Sequence, residues 1–363
     1  MSRRWKPRLR PSRLRLPRPP LLLLLLPPHP LLPPTAPAAV RVDSSSIESI
    51  AADMVRAARQ SGQPASSTRV IPLMGGTAHF TVVDGSESML DRAIALADRC
   101  EAAWSRFLPT SDVSRLNRAE GAPTQVDPLT TALIAAMLEG VELTAGDFDP
   151  LLLPDVLAIG YAASVVADDI VTELGPSARS GGDAAAIAID GTTVTLPPGL
   201  TLDPGGVGKG LAADLACAQL IADGAAGAMV EISGDLVVAG RAPDGVAWRL
   251  GVEDPFVDGA HAQIVRLTRG ALVTSSQRKR RFTTARGERH HLIDPRTHDS
   301  AVTDVQTVSV IAATGAKAET LTKSGFLREP ADFLAWLPTV GAAGLIIDSA
   351  GVARESPNWG RYA

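Results

Sequence analysis

The sequence predicts an α+β fold with mixed sheets and packed helices. Apolar residues recur at helical spacing over several long segments, and alternating strand patterns dominate the second half of the chain. Helical and strand segments do not alternate as repeated βαβ units, so the pattern argues against a doubly wound parallel sheet. The length of 363 residues allows one large domain or two moderate ones.

In the first half of the chain, apolar spacing and turn residues predict mainly helices. After an amphipathic helix over 44–60, ordered structure is expected to start near Val70 with a strand that ends in 77–83. The further predicted elements are a long helix over 87–106, a short helix capped by Ser111 or Asp112, a helix over 128–144 and a loop over 146–154.

The second half is richer in strands. Alternation around Asp190-Gly191 predicts a hairpin over 186–196, and the glycine-rich segment 203–210 is expected to open a helix that ends near residue 222. The remaining predicted elements are strands over 228–239, 248–253, 263–268, 271–274 and 305–312, a helix over 316–327 and a strand over 345–348.

The N-terminal segment differs from the rest. Basic residues are frequent from Arg3 to Arg18, and Leu21 to Leu26 follow between prolines, as in the charged and apolar regions of a signal peptide. This apolar run is too short to span a bilayer, and no cysteine follows it that would carry a lipid anchor. We expect a disordered basic, proline-rich leader and linker over 1–68, or an upstream stretch from a wrongly chosen start codon, before one domain over 69–355. A cytoplasmic location is expected, with export as the alternative.

Composition and charge exclude several classes of partner. The net charge is −4 and only 4% of residues are aromatic, so neither a basic surface for nucleic acid or anionic lipid nor a base-stacking platform is expected. Cys100 and Cys217 both fall on apolar stripes at helical spacing, which indicates buried thiols. A disulfide between them stays open as the alternative, and no cysteine spacing indicates a zinc site.

Two short segments carry the residue types of a ligand site. In Asp203 to Gly210, glycines would let backbone N–H groups approach an anion, and Lys209 would add a positive charge at the start of a helix. The spacing matches neither a P-loop nor a dinucleotide-binding fingerprint, and a plain glycine-rich turn is the alternative. His291 precedes the turn at Asp294-Pro295, where it would transfer a proton or polarise a phosphate, unless it is an ordinary surface histidine.

The order of these and other segments resembles the FAD:protein FMN transferase (ApbE) family from about Leu73 to Asp348. The segments that carry the resemblance are Met74-Gly75-Gly76-Thr77, Ser105-Arg106-Phe107, Ser111 to Asn117, Thr144 to Asp149, Asp203 to Asp214, Ser233-Gly234-Asp235, Trp248 to Pro255, Thr274-Ser275-Ser276 and His291 to His298. In the family these stretches read MGT, an aromatic before SxLSRxN, TGGxFD, DLGGxxKGYAxD, GGD, WxIGIxxP, TSG and HxIDPxTG. Several motifs in one order are more specific than any one of them.

The resemblance implies an ApbE-like (T-fold-like) architecture and a cleft that binds FAD. Family members cleave the pyrophosphate of FAD with help from magnesium and leave FMN on a threonine or serine of a partner protein. The implied cofactors are therefore FAD and Mg²⁺, and the implied partner is an acceptor protein. His291 matches the family's catalytic histidine, and Phe107 stands where a flavin-stacking aromatic is common, with a core position as the alternative. The implied FAD contacts are Met74, Phe107, Asp147, Phe148, Asp149, Asp203, Lys209 and Ile293.

One helix departs from the family pattern. Glu319 replaces the aspartate of the family's metal-binding ADALAT motif, and Lys323 stands where its threonine would be. A lysine there repels a divalent cation, or it pairs with Glu319 at i,i+4 spacing. We expect a weakened magnesium site formed by Gly206, Glu319 and Thr322.

A run of basic residues adds to this departure. Arg278 to Arg281 are expected either beside the phosphates, in place of a metal, or at a solvated hairpin tip. The leading hypothesis is a flavin transferase, and the first alternative is a non-catalytic FAD-binding homologue that has lost the metal site. A third is a metal-dependent pyrophosphatase that releases FMN and AMP. Glu319 and Lys323 are the residues that separate the first two.

Overall fold

The computed structural model describes residues 64–164, 166, 170–284 and 287–363. Their centre is an antiparallel sheet of eight strands. The strands are β1 (Ser66–Leu73), β2 (Gly76–Val83), β3 (Thr124–Gln125), β4 (Ala188–Asp190), β5 (Thr193–Thr195), β6 (Gly227–Ile232), β7 (Asp235–Gly240), β8 (Trp248–Glu253), β9 (His261–Leu267), β10 (Gly270–Ser276), β11 (Arg281–Thr284), β12 (Gly287–His290), β13 (Ile293–Asp294), β14 (Asp299–Ser300), β15 (Val305–Ala312), β16 (Ala343–Asp348) and β17 (Ala353–Glu355). The helices are α1 (Glu87–Trp104), α2 (Asp112–Asn117), α3 (Pro128–Thr144), α4 (Leu153–Ala158), α5 (Gly208–Ala222), α6 (Gly315–Ser324) and α7 (Pro330–Trp336).

The large sheet has the strand order β1-β2-β6-β7-β10-β15-β16-β17. The other strands form small sheets: β3-β5-β4, β8-β9, β11-β12 and β13-β14. The α+β prediction is confirmed, although every pairing between these strands is antiparallel rather than mixed. The described helices lie in two long connections of this sheet, α1 to α5 between β2 and β6, and α6 and α7 between β15 and β16.

The two faces of the large sheet are covered by different elements. Phe80, Val230 and Val310 belong to the cluster that also holds apolar residues of α1, α3, α5 and α6. Neighbouring strand residues of opposite orientation, such as Ile311, pack instead with Trp248 of β8 and with Trp359 near the C-terminus. Because strand side chains alternate between faces, one sheet supports both cores. The helical core is the one that borders the candidate site.

Several predicted elements are confirmed. The long helix α1 buries its predicted apolar stripe, including Cys100 and Trp104. Ser111, rather than Asp112, caps α2, because its hydroxyl accepts the backbone N–H of Ser114 at 3.0 Å. Cys100 and Cys217 are buried free thiols, so the disulfide alternative is wrong. Burial raises the pKa of each thiol to about 12.

Other boundaries differ from the predictions. The single strand expected over 228–239 is a hairpin of β6 and β7, because Ser233 and Gly234 both adopt positive φ, of 54° and 95°, and reverse the chain. The predicted helix over 316–327 begins at Gly315 and ends at Ser324, and α7 follows it without having been predicted.

The ends of the ordered domain also differ from the predicted range of 69–355. Strand β1 begins at Ser66, before the predicted boundary, and the buried Trp359 lies beyond the predicted end. The helix predicted over 44–60 lies outside the described residues. Among the residues that are described, no helix is both long and apolar enough to cross a membrane.

Candidate functional site

A cavity of about 580 Å³ opens beside the helical core. Its wall brings together the end of α1, the loop after α3, the start of α5, the end of α6 and the segment that leads into β13. All the predicted FAD contacts lie in this wall, together with His291 and Gly206. They are Met74, Phe107, Asp147, Phe148, Asp149, Asp203, Lys209 and Ile293. Glu319 and Thr322 do not line the cavity, because both side chains are buried behind it.

The glycine-rich segment brings the start of α5 to the cavity. Asp203 closes the first turn, since its carboxylate accepts the backbone N–H of Gly205 at 3.0 Å. A Cβ on Gly206 would lie 2.6 Å from the ring of Phe148, and one on Gly210 would lie 2.4 Å from the backbone of Gly315. These two glycines therefore allow close packing. The N-terminus of α5, with its positive dipole end, faces the cavity through Gly208.

A tight loop after α3 presents Asp147, Phe148 and Asp149. The loop turns because Gly146 has a φ of 88°, and Phe148 donates its backbone N–H to the hydroxyl of Thr144 at 3.0 Å. The Asp147 carboxylate accepts from Arg328 at 2.5 Å. Burial raises the pKa of Asp149, although its hydrogen bond from a backbone N–H opposes this shift. Asp149 lines the cavity, and its carboxyl group is easier to protonate than an exposed aspartate.

Phe107 belongs to a group of aromatic and cationic side chains. The buried guanidinium of Arg106 lies 4.2 Å from the centroid of Phe107 and 4.5 Å from that of Tyr161. Tyr161 also stacks on Phe282, with ring centroids 5.3 Å apart, and Arg280 lies 5.3 Å from the Tyr161 centroid. Arg106, Tyr161 and Arg280 line the cavity. Arg106 belongs to a segment that carries the family resemblance, but neither Arg106 nor Tyr161 was predicted to be a site residue.

The two adjacent histidines have different environments. His290 is held by its neighbours: Nε2 lies 3.0 Å from the carbonyl oxygen of Ala301, and Nδ1 accepts the N–H of Leu292 at 3.3 Å. His291 lines the cavity, and its buried Nδ1 has no hydrogen-bond partner among the described residues. Burial holds the pKa of His291 well below 6.5, and the nearby charges of Arg280 and Lys323 lower it further. His291 is therefore a neutral imidazole at neutral pH.

Lys209 lies in a buried ionic cluster. Its ammonium donates to Asp235 at 2.5 Å and to Glu319 at 2.7 Å. Burial alone would lower the pKa of Lys209, but the two carboxylates outweigh it and raise the pKa. Burial also raises the pKa of Asp235 to about 6, against the pull of Lys209. The cluster joins α5, β7 and α6, and the charge of Lys209 is balanced within the protein.

The predicted magnesium site does not fit these side chains. The Glu319 carboxylate accepts from Lys209 through one oxygen and from the N–H of Gly210, at 2.9 Å, through the other. The hydroxyl of Thr322 donates to the carbonyl of Glu319 at 2.6 Å. Among the described residues, no group of three or more His, Cys, Asp or Glu is placed to hold a metal ion. Mg²⁺ needs several oxygen ligands in an octahedral arrangement, and the side-chain oxygens of Glu319 and Thr322 are already engaged with protein groups.

Lys323 also differs from its prediction. Its ammonium donates to Ser275 at 3.0 Å and to Thr322 at 3.3 Å, and the expected i,i+4 pair with Glu319 is not formed. Glu319 turns toward α5 instead, because Lys209 and a backbone N–H satisfy both of its oxygens.

The basic residues from Arg278 to Arg281 were predicted to lie either beside the phosphates or at a solvated hairpin tip, and the structure separates Arg280 from the other three. Arg280 alone of these residues lines the cavity. Arg278 lies over Phe256, Lys279 pairs with Glu253 at 2.6 Å, and Arg281 approaches Glu288 at 3.9 Å.

The sequence is similar to a protein-family model and to proteins named FAD:protein FMN transferase. The model of the ApbE family matches residues 74–346. An FAD:protein FMN transferase of Treponema pallidum (strain Nichols) is 29% identical over 258 residues, which cover 66% of this chain and 70% of the relative. One of Rhodobacter capsulatus is 31% identical over 224 residues, which cover 60% of this chain and 42% of the relative.

Solved structures share the fold. The apo form of the Pseudomonas stutzeri flavinyl transferase ApbE is 26% identical, with a TM-score of 0.68 over 81% of this chain and 96% of that chain. The ApbE protein of Thermotoga maritima has a TM-score of 0.72 at 24% identity, over 82% of this chain and 98% of that chain. The family match covers well over half of the sequence, and the chain therefore belongs to the ApbE family.

Proposed function

We propose that this protein binds FAD in the cleft and transfers the FMN half of FAD to a serine or threonine hydroxyl of a partner protein. The observation that carries the proposal is that five of the family's segments, which begin at Met74, Ser105, Thr144, Asp203 and His291 and lie far apart in sequence, contribute residues to one cavity of about 580 Å³. That volume lies in the range of small-molecule and cofactor sites. The relatives named FAD:protein FMN transferase support the same donor and reaction.

The walls of the cleft suit the parts of FAD. Phe107 and Tyr161 offer aromatic surface for the flavin ring system. The start of α5 offers backbone N–H groups and a positive dipole end for the pyrophosphate. Lys323 and Arg280 add positive charge to the same cavity. Asp147 and Asp149 offer carboxylates for hydroxyl or amide donors of the ligand.

The transfer is a phosphoryl substitution. The hydroxyl oxygen of the acceptor attacks the phosphorus atom of the FMN half, a P–O bond to this phosphorus forms, and the bond to the bridging oxygen breaks. AMP leaves with that oxygen. His291, neutral at neutral pH, accepts the proton of the hydroxyl. The negative charge of bound pyrophosphate would offset Arg280 and Lys323 and so raise the pKa of His291 toward the working range. Positioning and charge neutralisation supply the rest of the rate enhancement.

One observation favours a second candidate, an FAD-binding protein without turnover. Glu319, at a position that the family pattern assigns to the metal, and Thr322, the expected substitute ligand, are buried and engaged with protein groups. A protein with this arrangement would keep the cleft for FAD and lose the chemistry. A pyrophosphatase that used water as the acceptor would release FMN and AMP instead.

One experiment separates the three. Purified protein is incubated with FAD and an acceptor protein that carries a DxxSGAT-type sequence, with and without magnesium, and the acceptor is analysed by mass spectrometry while AMP is quantified. A mass increase of one FMN with equimolar AMP supports the transferase. AMP without acceptor modification identifies a pyrophosphatase, and saturable FAD binding with neither product identifies a binding protein. We expect FAD to bind with a dissociation constant of about 1 μM or tighter, or about −8 kcal/mol. Absence of saturable binding would refute the proposal.

A further inference from the structure

Two lysines reach the wall of the cleft at the end where α5 and α6 meet. Lys209 is neutralised by two carboxylates at 2.5 and 2.7 Å. Among the described residues, the hydrogen-bond partners of the Lys323 ammonium are hydroxyls, at 3.0 Å to Ser275 and 3.3 Å to Thr322. Within the described part of the chain, no carboxylate lies within 4.0 Å of its ammonium. An ammonium has three N–H donors, so at least one is left for the cavity.

The hydroxyl neighbours fix the direction of this ammonium. Lys323 donates to Ser275, the hydroxyls of Ser275 and Thr322 lie 2.7 Å apart, and Thr322 donates to the carbonyl of Glu319. This chain of hydrogen bonds ends on the backbone of α6, so it holds the lysine without cancelling its charge. The aliphatic stem of Lys323 passes close to Gly206, since a Cβ built on this glycine would lie 3.4 Å from the Cε of Lys323. The charge therefore stays beside the glycine-rich start of α5.

The balance of charge at this end of the cavity favours an anion. Arg280 also lines the cavity, and its described contact is with the ring of Tyr161 rather than with a carboxylate. Burial is the main cause of the lowered pKa of His291, and the charges of Arg280 and Lys323 lower this pKa further. A further cation such as Mg²⁺ would be repelled here, whereas a pyrophosphate would find N–H donors and positive charge.

We propose that the ammonium of Lys323 is the built-in counter-ion of the FAD pyrophosphate, so that this protein binds FAD without a divalent cation. The inference rests on the proposed function, since FAD must be the ligand. It assigns to one side chain the charge neutralisation that the family pattern assigns to a metal. Glu319 contributes by turning away to Lys209 and Gly210, which leaves the lysine free to face the ligand.

The test is a titration of FAD fluorescence with wild-type protein in EDTA and again in millimolar MgCl₂. We expect equal affinity in the two buffers. Lys323→Met should weaken binding by about tenfold to a hundredfold in both, the range expected for losing a charged hydrogen bond. Lys323→Arg should keep most of the affinity. Lys317→Met is the matched control, because Lys317 lies on the same helix but donates to the carbonyl of Val340 at 2.5 Å, away from the cleft.

Each outcome bears on the inference. Wild-type binding that requires magnesium would overturn it and leave the proposed function standing. Wild-type-like affinity of Lys323→Met in EDTA would overturn it as well, provided that circular dichroism and melting temperature show a folded variant. Absence of FAD binding in both buffers would reject the proposed function itself. Calorimetric titration of wild-type protein with Mn²⁺ adds a readout without FAD: no binding is expected, and stoichiometric binding would contradict the inference.

Discussion

Lys209 and Lys323 stand at the same end of one cleft and have opposite surroundings. Lys209, in the first turn of α5, has two carboxylate partners, Asp235 and Glu319. Lys323, in the last turn of α6, has two hydroxyl partners. Burial is the largest influence on both pKa values, yet the pKa of Lys209 is raised by its carboxylates and that of Lys323 is lowered.

The difference teaches that burial and position do not decide what a charged side chain does. A lysine whose charge is cancelled inside the protein ties elements together, because removing it leaves carboxylates unpaired. A lysine held only by neutral groups keeps a charge that a ligand can use. The family pattern suggested the opposite roles: Lys209 was predicted to contact FAD, and Lys323 was predicted to weaken a magnesium site.

The largest effect expected from this comparison is a loss of folding stability when Lys209 is replaced. Lys209→Met leaves Asp235 and Glu319 buried without their cation, so we expect a loss of about 3–5 kcal/mol in the free energy of unfolding. Urea denaturation followed by circular dichroism measures it. Lys323→Met should cost much less, since it strands no carboxylate. Comparable losses for the two variants would mean that their roles are not distinct.

A matched double variant sharpens the same point. Adding Glu319→Gln to Lys209→Met removes one of the stranded charges, so it should restore part of the lost stability. The stability of Lys209→Met should also depend on pH. Burial raises the pKa of Asp235 even with Lys209 present, so a stranded Asp235 would be protonated, and the variant would gain stability relative to wild type as the pH falls toward 6. A pH-independent difference would contradict this account.

The next effect concerns the rate of transfer. His291→Ala should lower the rate of FMN transfer by about a hundredfold or more, with FAD affinity changed only a few-fold. The reason is that His291 faces the cavity while its pKa is low enough to leave it neutral. His290→Ala is the control, because both ring nitrogens of His290 form hydrogen bonds within the protein. This variant should have a lower free energy of unfolding, while the folded protein should transfer FMN at close to the wild-type rate. Equal rates for wild type and His291→Ala would remove His291 from the mechanism.

The pH profile links His291 to Lys323. A base is active above its pKa, and the pKa of His291 lies well below 6.5, so kcat/KM should stay level as the pH falls from neutral to 6.5 and drop only at lower pH. Lys323→Met removes one of the charges that lower this pKa, so the acid limb should move to higher pH. An unmoved limb would show that Lys323 does not act on His291.

A smaller effect is expected at the flavin end of the cleft. Phe107→Ala should weaken FAD binding by about 1 kcal/mol, or roughly fivefold, because an aromatic contact with the ligand is lost. Phe256→Ala is the matched control, since Arg278 lies 5.3 Å from the Phe256 centroid just as Arg106 lies over Phe107, but Phe256 does not line the cavity. Titration of FAD fluorescence measures both. Equal affinities would favour the alternative in which Phe107 is only a core residue.

Local patterns could predict most of the helices and strands, whereas the residues that line the cleft were implied by the resemblance to the family. Helical spacing identified α1, and the glycine-rich segment identified the start of α5. The partners of Lys209 could not be found this way, because Asp235 and Glu319 lie 26 and 110 residues away. The predicted i,i+4 pair of Glu319 failed for the same reason: a distant lysine and a distant N–H outcompete a neighbour on the helix. Tyr161 follows α4 without any periodic pattern, so its place beside Arg106 depends on tertiary contacts.

The smallest effect is expected from deleting the N-terminal segment. This deletion tests whether the different roles of Lys209 and Lys323 depend on the folded domain alone. Deletion of residues 1–60 should leave FAD affinity unchanged and the free energy of unfolding within about 0.5 kcal/mol, because Arg3 to Arg18 and the proline-bracketed leucines offer no periodic apolar face for packing. Strand β1 begins only at Ser66, and the family match begins at residue 74. The Lys209→Met and Lys323→Met variants, made again in the shortened chain, should keep their separate effects on stability and on affinity. A shortened chain that is insoluble, or in which Lys323→Met no longer affects FAD binding, would show that the basic N-terminal residues contribute charge to the ligand.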